Sequence, residues 1–495
     1  MTNIVVLPLI LPIITGILLV FLRHQLVLQR IIAVVTMAIV SIISVIMLHQ
    51  VYTSGIIYLD FSGWAPPFGI LFVADSFASL LVVTSSIVTT CILLYATTTI
   101  EPKREKMFFY TFVLLMVAGV NGSFLTGDIF NLFVCFEVML LASYALITLG
   151  GEKLQLRESL KYVLINVVAS WIFLVALAYL YGTLGTLNMA HIAQRVAEAG
   201  QDPLLTTISL VFLVVFALKA GLLLYQWLPT AYSVPPTAIA TLFAALLTKV
   251  GIYALIRTFT LMFPYEPSVT HRIIGIMAII TVVGGCLGAL AAKDIRTIAV
   301  YNVVIGVGFI LIGLATNTEQ GLQGAIYYLM HDMVAKALLF LIIGTMIALT
   351  SESHIDKMSG LIRNYPLFGW LFFIVMCALA GIPPLSGFIG KVLIGQGAIA
   401  SSSYVLLIIG FGSTIIVLYS LLRIFLSCFF GETIIPTGDE TPMNKVNMAA
   451  MLLLAGCIIS LGFGAELVAP YVKDAAAVLM NPDIYIKAIL ANGGV

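Results

Sequence analysis

The chain has 495 residues, 61% of them hydrophobic and only 9% charged, with a mean hydropathy of +1.15. A soluble domain carries about 25% charged residues, so this composition excludes one and indicates an integral membrane protein. The net charge of +1 and the lack of any basic block give no footing for a nucleic-acid partner.

A membrane-spanning helix takes about 20 mostly apolar residues. In chain order that ruler marks fourteen spans: 4–22, 28–50, 71–97, 107–125, 129–149, 158–181, 204–228, 236–262, 270–291, 295–316, 323–349, 366–398, 403–430 and 446–467. The first basic residue, Arg23, follows span 1, so the charged start of a cleavable leader is missing and span 1 is expected to be retained. Between spans 6 and 7, 187-LNMAHIAQRVAEAG-200 has apolar residues at helical spacing and predicts a helix lying along the surface. The tail 471–495 is expected to form another short surface helix. Cys91, Cys135, Cys286, Cys377, Cys428 and Cys457 fall singly inside apolar segments and read as small core hydrophobes.

Charge in the loops predicts orientation. Fourteen Lys and Arg residues collect at one set of span ends, against five at the other: Arg195, Arg257, Arg272, Lys473 and Lys487. The positive-inside rule then puts both termini outside the cytoplasm. Four lysines belong to neither side: Lys219, Lys249, Lys336 and Lys391, in spans 7, 8, 11 and 12. A charge at that depth costs about 2.5–3.5 kcal/mol. Glu137 in 133-FVCFEVMLL-141 is the clearest intramembrane acid, on span 5, and His331 and Asp332 accompany Lys336. Asp332 and Lys336 are four apart and share a helix face. Asp75 and Asp128, at helix starts, read as caps or interface charges.

One such lysine could be a structural pin or could snorkel to the interface. Four outnumber the acids, so some must shed a proton or sit in water inside the bundle. Burial disfavours a charged lysine and a neighbouring carboxylate favours it, so a row of such groups can pass protons. The backbone adds a second signal. Pro383 and Pro384 interrupt span 12 in 381-GIPPLSGFIGK-391, Pro229 follows Lys219 by ten residues, and 235-PP-236 opens span 8. Each could be a plain proline kink. Broken helices also mark ion sites in transporters. Spans 7 and 12 are five apart; five is odd, so two five-helix units would have opposite topology.

The stretches 219-KAGLLLYQWLPTAYSVPP-236, 248-TKVGIYALIR-257, 331-HDMVAKALLF-340 and 378-ALAGIPPLSGFIGK-391 resemble the antiporter-like subunits shared by respiratory complex I, membrane-bound hydrogenases and the Mrp multisubunit cation/proton antiporters. Length and detail are most similar to the D-type subunits of the Mrp branch. The resemblance implies an all-α membrane fold of about fourteen helices, with inverted five-helix repeats at helices 4–8 and 9–13 and with helices 7 and 12 broken. The divisions would be 1–106, 107–262, 263–430 and 431–495. It also implies that Glu137 pairs with Lys219, that Lys249 is the central relay, that Lys336 with His331 continues it, and that Lys391 ends it. Leu224 and Gln226 stand where many relatives carry proline and histidine, Tyr232 stands in a slot that is often histidine, and Asp332, not histidine, precedes Lys336 by four.

The expected activity is exchange of H⁺ for Na⁺ or a similar cation, with the other Mrp subunits as partners in a bacterial cell membrane. No cysteine cluster, dinucleotide fingerprint or haem motif is present, so no cofactor is expected on this chain. Two alternatives stay open: the proton-pumping arm of a redox complex, and a membrane scaffold.

Overall fold

A computed structural model describes residues 2–64, 68–435 and 442–490 of the protein. Among these residues, twelve helices are long and apolar enough to cross a membrane. Span 4, Phe109–Leu125, is a shorter apolar helix, and span 12 is divided into Pro366–Ala380 and Ser386–Ala400. Every expected span thus has a helical counterpart, and the departures have local causes.

Span 3 starts later than its apolar run. Leu71–Ala74 instead forms a β-strand, antiparallel to Ile57–Asp60. Asp75 then adopts extended backbone and its side chain accepts from the Ala78 N–H at 2.8 Å, so the helix begins at Ser76. Span 7 stops earlier, at Ala220, one residue past Lys219. Gly221 closes it in the left-handed region, at φ +75°, a conformation that side chains with a Cβ disfavour. The second piece is Leu228–Ser233, with Pro229 in its first turn, where a missing N–H costs nothing. Pro229 therefore opens the second half-helix and does not make the break. Pro383 and Pro384 do lie within the break of span 12, between Gly381 and Leu385.

The segment after span 6 is a helix, Met189–Ala199, capped by Asn188. The tail carries two helices, Ala465–Met480 and Pro482–Leu490, where one was expected; residues 491–495 of that segment lie outside the described residues.

Span 8 is the innermost helix. From Ala238 to Met262 every residue of this span is buried, and two of its turns, Phe243–Leu247 and Thr258–Met262, are π-helical. Spans 3, 10 and 11 are also mostly buried, whereas spans 1, 2 and 13 turn apolar faces outward. In lipid such faces need no cover, so close packing is reserved for the centre. Span 8 touches the break of span 7 directly: a Cβ on Gly251 would stand 2.6 Å from the Ala220 backbone nitrogen.

The two halves contain the same local device. Asp128, at the start of span 5, forms an antiparallel bridge with Asn188 after span 6, and Asp294, at the start of span 10, forms one with His354 after span 11. In both cases the aspartate also caps its helix. Asp294 and His354 each lie 166 residues beyond their counterparts.

Candidate functional site: a buried row of ionisable groups

The centre of the row is a carboxylate between two lysines. Asp332 Oδ2 lies 2.8 Å from Lys249 Nζ and its Oδ1 lies 3.7 Å from Lys336 Nζ. Lys249 and Asp332 are fully buried and Lys336 is 2% exposed, so bulk solvent does not reach these charges. Helix geometry sets the Asp332–Lys336 contact at four residues' spacing. The contact to Lys249 is tertiary and joins span 11 to span 8. Lys249 Nζ also donates to the Ala244 carbonyl at 2.7 Å. Ala244 belongs to the π-helical turn, and such turns leave carbonyls short of their usual partners, often at functional sites.

Lys219 is the last residue but one of its half-helix and 5% exposed. Glu137 is not in direct contact with it. Ser170, on span 6, stands between them: Lys219 Nζ donates to Ser170 Oγ at 3.1 Å, and Ser170 Oγ donates to Glu137 Oε1. The ammonium also faces the Phe136 ring, 4.9 Å from its centroid, a favourable cation–π contact. Glu137 is only half-buried, shallower than the sequence suggests, with exposed Val134, Val138 and Leu141 around it on span 5.

A further buried lysine lies at the break of span 12. Lys391 Nζ donates to the Leu379 and Ala380 carbonyls at 2.8 and 3.0 Å. These are end carbonyls of Pro366–Ala380, which no further turn of that helix can satisfy. A cation is well placed there, at the negative end of the helix dipole. The two broken-helix lysines thus differ: Lys219 precedes its break, while Lys391 follows its break and reaches back to it. His331 is turned to Ser386, with Nδ1 2.7 Å from Ser386 Oγ, and its Nε2 has no hydrogen-bond partner among the described residues. Lys336 forms its ion pair with Asp332, not with His331. Tyr328 links the groups sterically, its ring 5.2 Å from that of His331 and 5.8 Å from Lys391 Nζ.

A separate buried ion pair lies at the end of span 8. Arg257 Nη1 is 2.7 Å from Asp75 Oδ2, with both side chains almost wholly buried. Three rings, those of Phe77, Tyr253 and Tyr485, surround the guanidinium within 5.6 Å. Asp75 is therefore a helix cap and a counter-ion at once. Arg257, counted as a charge at the end of span 8, is instead internal and paired, which leaves the orientation contrast resting on fourteen against four.

The sequence shows Lys219, Lys249, Lys336, Lys391 and Glu137 by their charge alone. It offers Asp332 only as a neighbour of Lys336, and gives no signal for Ser170 or Ser386, since serines abound in apolar spans.

Two broken helices, each packed on a buried, lysine-bearing helix (span 7 on span 8, span 12 on span 11), define a class: multi-pass membrane proteins with lysines buried at membrane depth. The chain belongs to the family described as "NADH:quinone oxidoreductase/Mrp antiporter, TM", whose profile matches residues 126–417. It is 46% identical to the D-type Na(+)/H(+) antiporter subunit of Bacillus subtilis (strain 168), over 99% of this chain and 100% of that one. Its fold is similar to a chain in the Mrp complex from Dietzia sp. DQ12-45-1b, with a TM-score of 0.93 and 29% identity over 99% of this chain and 100% of that chain. It is also similar to a chain of the membrane-bound sulfane sulfur reductase, an archaeal respiratory membrane complex, with a TM-score of 0.92 and 26% identity over the same shares.

Proposed function

We propose that this chain is the proton-translocating subunit of a multisubunit monovalent cation/proton antiporter, and that it exports Na⁺ or a similar cation in exchange for H⁺. It works beside other Mrp-type subunits in the bacterial cell membrane, with both termini outside the cytoplasm. The relay consists of Glu137, Lys219, Lys249, His331, Lys336 and Lys391, and Asp332 joins it as the central counter-ion. The two five-helix units, helices 4–8 and 9–13, are inverted repeats; the paired Asp–Asn and Asp–His bridges support this, since starts of helices five apart fall at opposite ends of the bundle.

The observation that carries the proposal is the Asp332 carboxylate held between lysines of two different spans. One carboxylate can fully compensate one ammonium. When it sits closer to Lys249, that lysine keeps its proton more tightly and Lys336 less so; a shift towards Lys336 reverses the preference. At an effective dielectric near 20, contacts of 2.8 and 3.7 Å differ by about 1.5 kcal/mol, roughly tenfold in relative proton occupancy. Small displacements of one side chain therefore redirect a proton. Lys391 ends the line against carbonyls of a broken helix, the kind of backbone that meets water at membrane depth.

The test uses everted vesicles from cells expressing the complete complex, with native protein or Lys219→Ala. A pH gradient is built, Na⁺ or K⁺ is added, and a pH-sensitive dye is followed. Collapse of the gradient only when Lys219 is present supports the proposal. Undiminished exchange by an assembled Lys219→Ala complex removes this lysine from the mechanism. The similarity to a respiratory membrane complex makes a redox-driven pump the competing reading; iron–sulfur subunits in the purified complex would decide for it.

A further inference from the structure

We infer that Ser170 is a proton bridge between Lys219 and Glu137, and so a member of the relay itself; this rests on the function proposed above. Among the described residues, Lys219 Nζ and Glu137 Oε1 are joined through the Ser170 hydroxyl, which accepts from the first and donates to the second. Ser170 is 5% exposed, so the bridge does not depend on bulk water. A hydroxyl can accept one proton while releasing another. A proton moves from the Lys219 ammonium to Ser170 Oγ, the original hydroxyl proton moves to the Glu137 carboxylate, and serine is regenerated. The products are a neutral amine and a neutral carboxylic acid. With Lys219 and Ser170 held out of bulk water, this exchange of two charges for none is less unfavourable than in water. The reverse sequence reloads the lysine.

The internal register gives an independent reason to single out this position. Counting 166 residues forward, the offset between the two bridges, takes Asn166 to Asp332 and Ser170 to Lys336. The site occupied in the second half by an ion pair on one helix holds an amide and a hydroxyl in the first. The carboxylate and the ammonium there come from spans 5 and 7 instead, on either side of span 6. Span 6 contributes a neutral connector where span 11 contributes charge. Glu137 is partly exposed at the bundle's edge, whereas Lys219 is sealed in.

The ionisable groups that face Ser170 are Lys219 from span 7 and Glu137 from span 5, with Tyr144 of span 5 near enough to interact with Glu137. The experiment measures Na⁺-dependent gradient collapse against pH in everted vesicles carrying the whole complex, for native protein, Ser170→Ala, Ser170→Thr and Lys219→Ala. Loss of a hydrogen bond to charged groups at a transfer step is expected to slow Ser170→Ala by about tenfold or more. Its pH profile should be displaced from the native one, while Ser170→Thr, which keeps the hydroxyl, retains both rate and profile. Native rate and profile in Ser170→Ala, with Lys219→Ala inactive, overturn the bridge and leave the lysine relay standing. A loss in Ser170→Ala by one constant factor at every pH also overturns it, because that is the mark of a packing role. Native exchange in Lys219→Ala overturns both.

Discussion

Asp332→Asn tests the centre of the relay most directly. Asparagine keeps the shape of the side chain and removes its charge. The carboxylate lies 2.8 Å from Lys249 and 3.7 Å from Lys336. At an effective dielectric near 20 these contacts are worth about 6 and about 4.5 kcal/mol of Coulomb attraction. Part of that offsets desolvation, so the cost of removing one partner from a buried pair, about 3–5 kcal/mol, is the better guide. Two lysines then compete for no counter-ion, and neither can hold a proton that its neighbour can receive. A penalty of that size on one transfer step slows it by at least about 100-fold. Gradient collapse in everted vesicles should therefore be lost in Asp332→Asn. Asp332→Glu, which restores the charge on a longer stem, should recover part of it. The amount of assembled complex in the same membranes must be measured alongside. Native exchange by a fully assembled Asp332→Asn complex would refute the claim that this carboxylate directs the proton.

Further predictions concern the scaffold. Asp128, between spans 4 and 5, has its carboxyl pushed up to about 6 by burial, against an ordinary value of 3.8. The folded form keeps a proton that the unfolded form releases across this window, so native stability falls as pH rises from about 4 to about 6 and stays reduced above it. Asp128→Asn, which can still cap the helix, should raise the thermal midpoint at pH 7 by an amount equivalent to at most about 3 kcal/mol, and the gain should vanish below about pH 4. Arg257→Gln leaves Asp75 buried without its counter-ion and should destabilise the detergent-solubilised complex by about 3–5 kcal/mol, read as a lower thermal midpoint. Gly251→Ala drives a methyl group to within 2.6 Å of backbone at the span 7 break. Because backbone yields poorly, a loss of about 1–3 kcal/mol and reduced assembly are expected, seen as less complex recovered from the membrane.

What the sequence by itself determined was set by hydropathy and by the cost of charge in lipid. Runs of apolar residues laid out the spans to within a few residues, because a spanning segment has one dominant requirement and meets it locally. The four intramembrane lysines stood out for the same reason, and so did the proline-bearing break of span 12. Where local chemistry competed with hydropathy, the sequence misled. Leu71–Ala74 is apolar enough to begin a span but pairs as a strand, and Gly221, not Pro229, ends the first half of span 7. Partners were beyond reach, because they are contacts between spans distant in the chain. Only the tertiary structure decided that Asp332 serves Lys249 as well as Lys336, that Arg257 is neutralised by Asp75, and that a serine separates Glu137 from Lys219. Burying a charge announces itself in composition, whereas the group that makes the burial tolerable is chosen by packing.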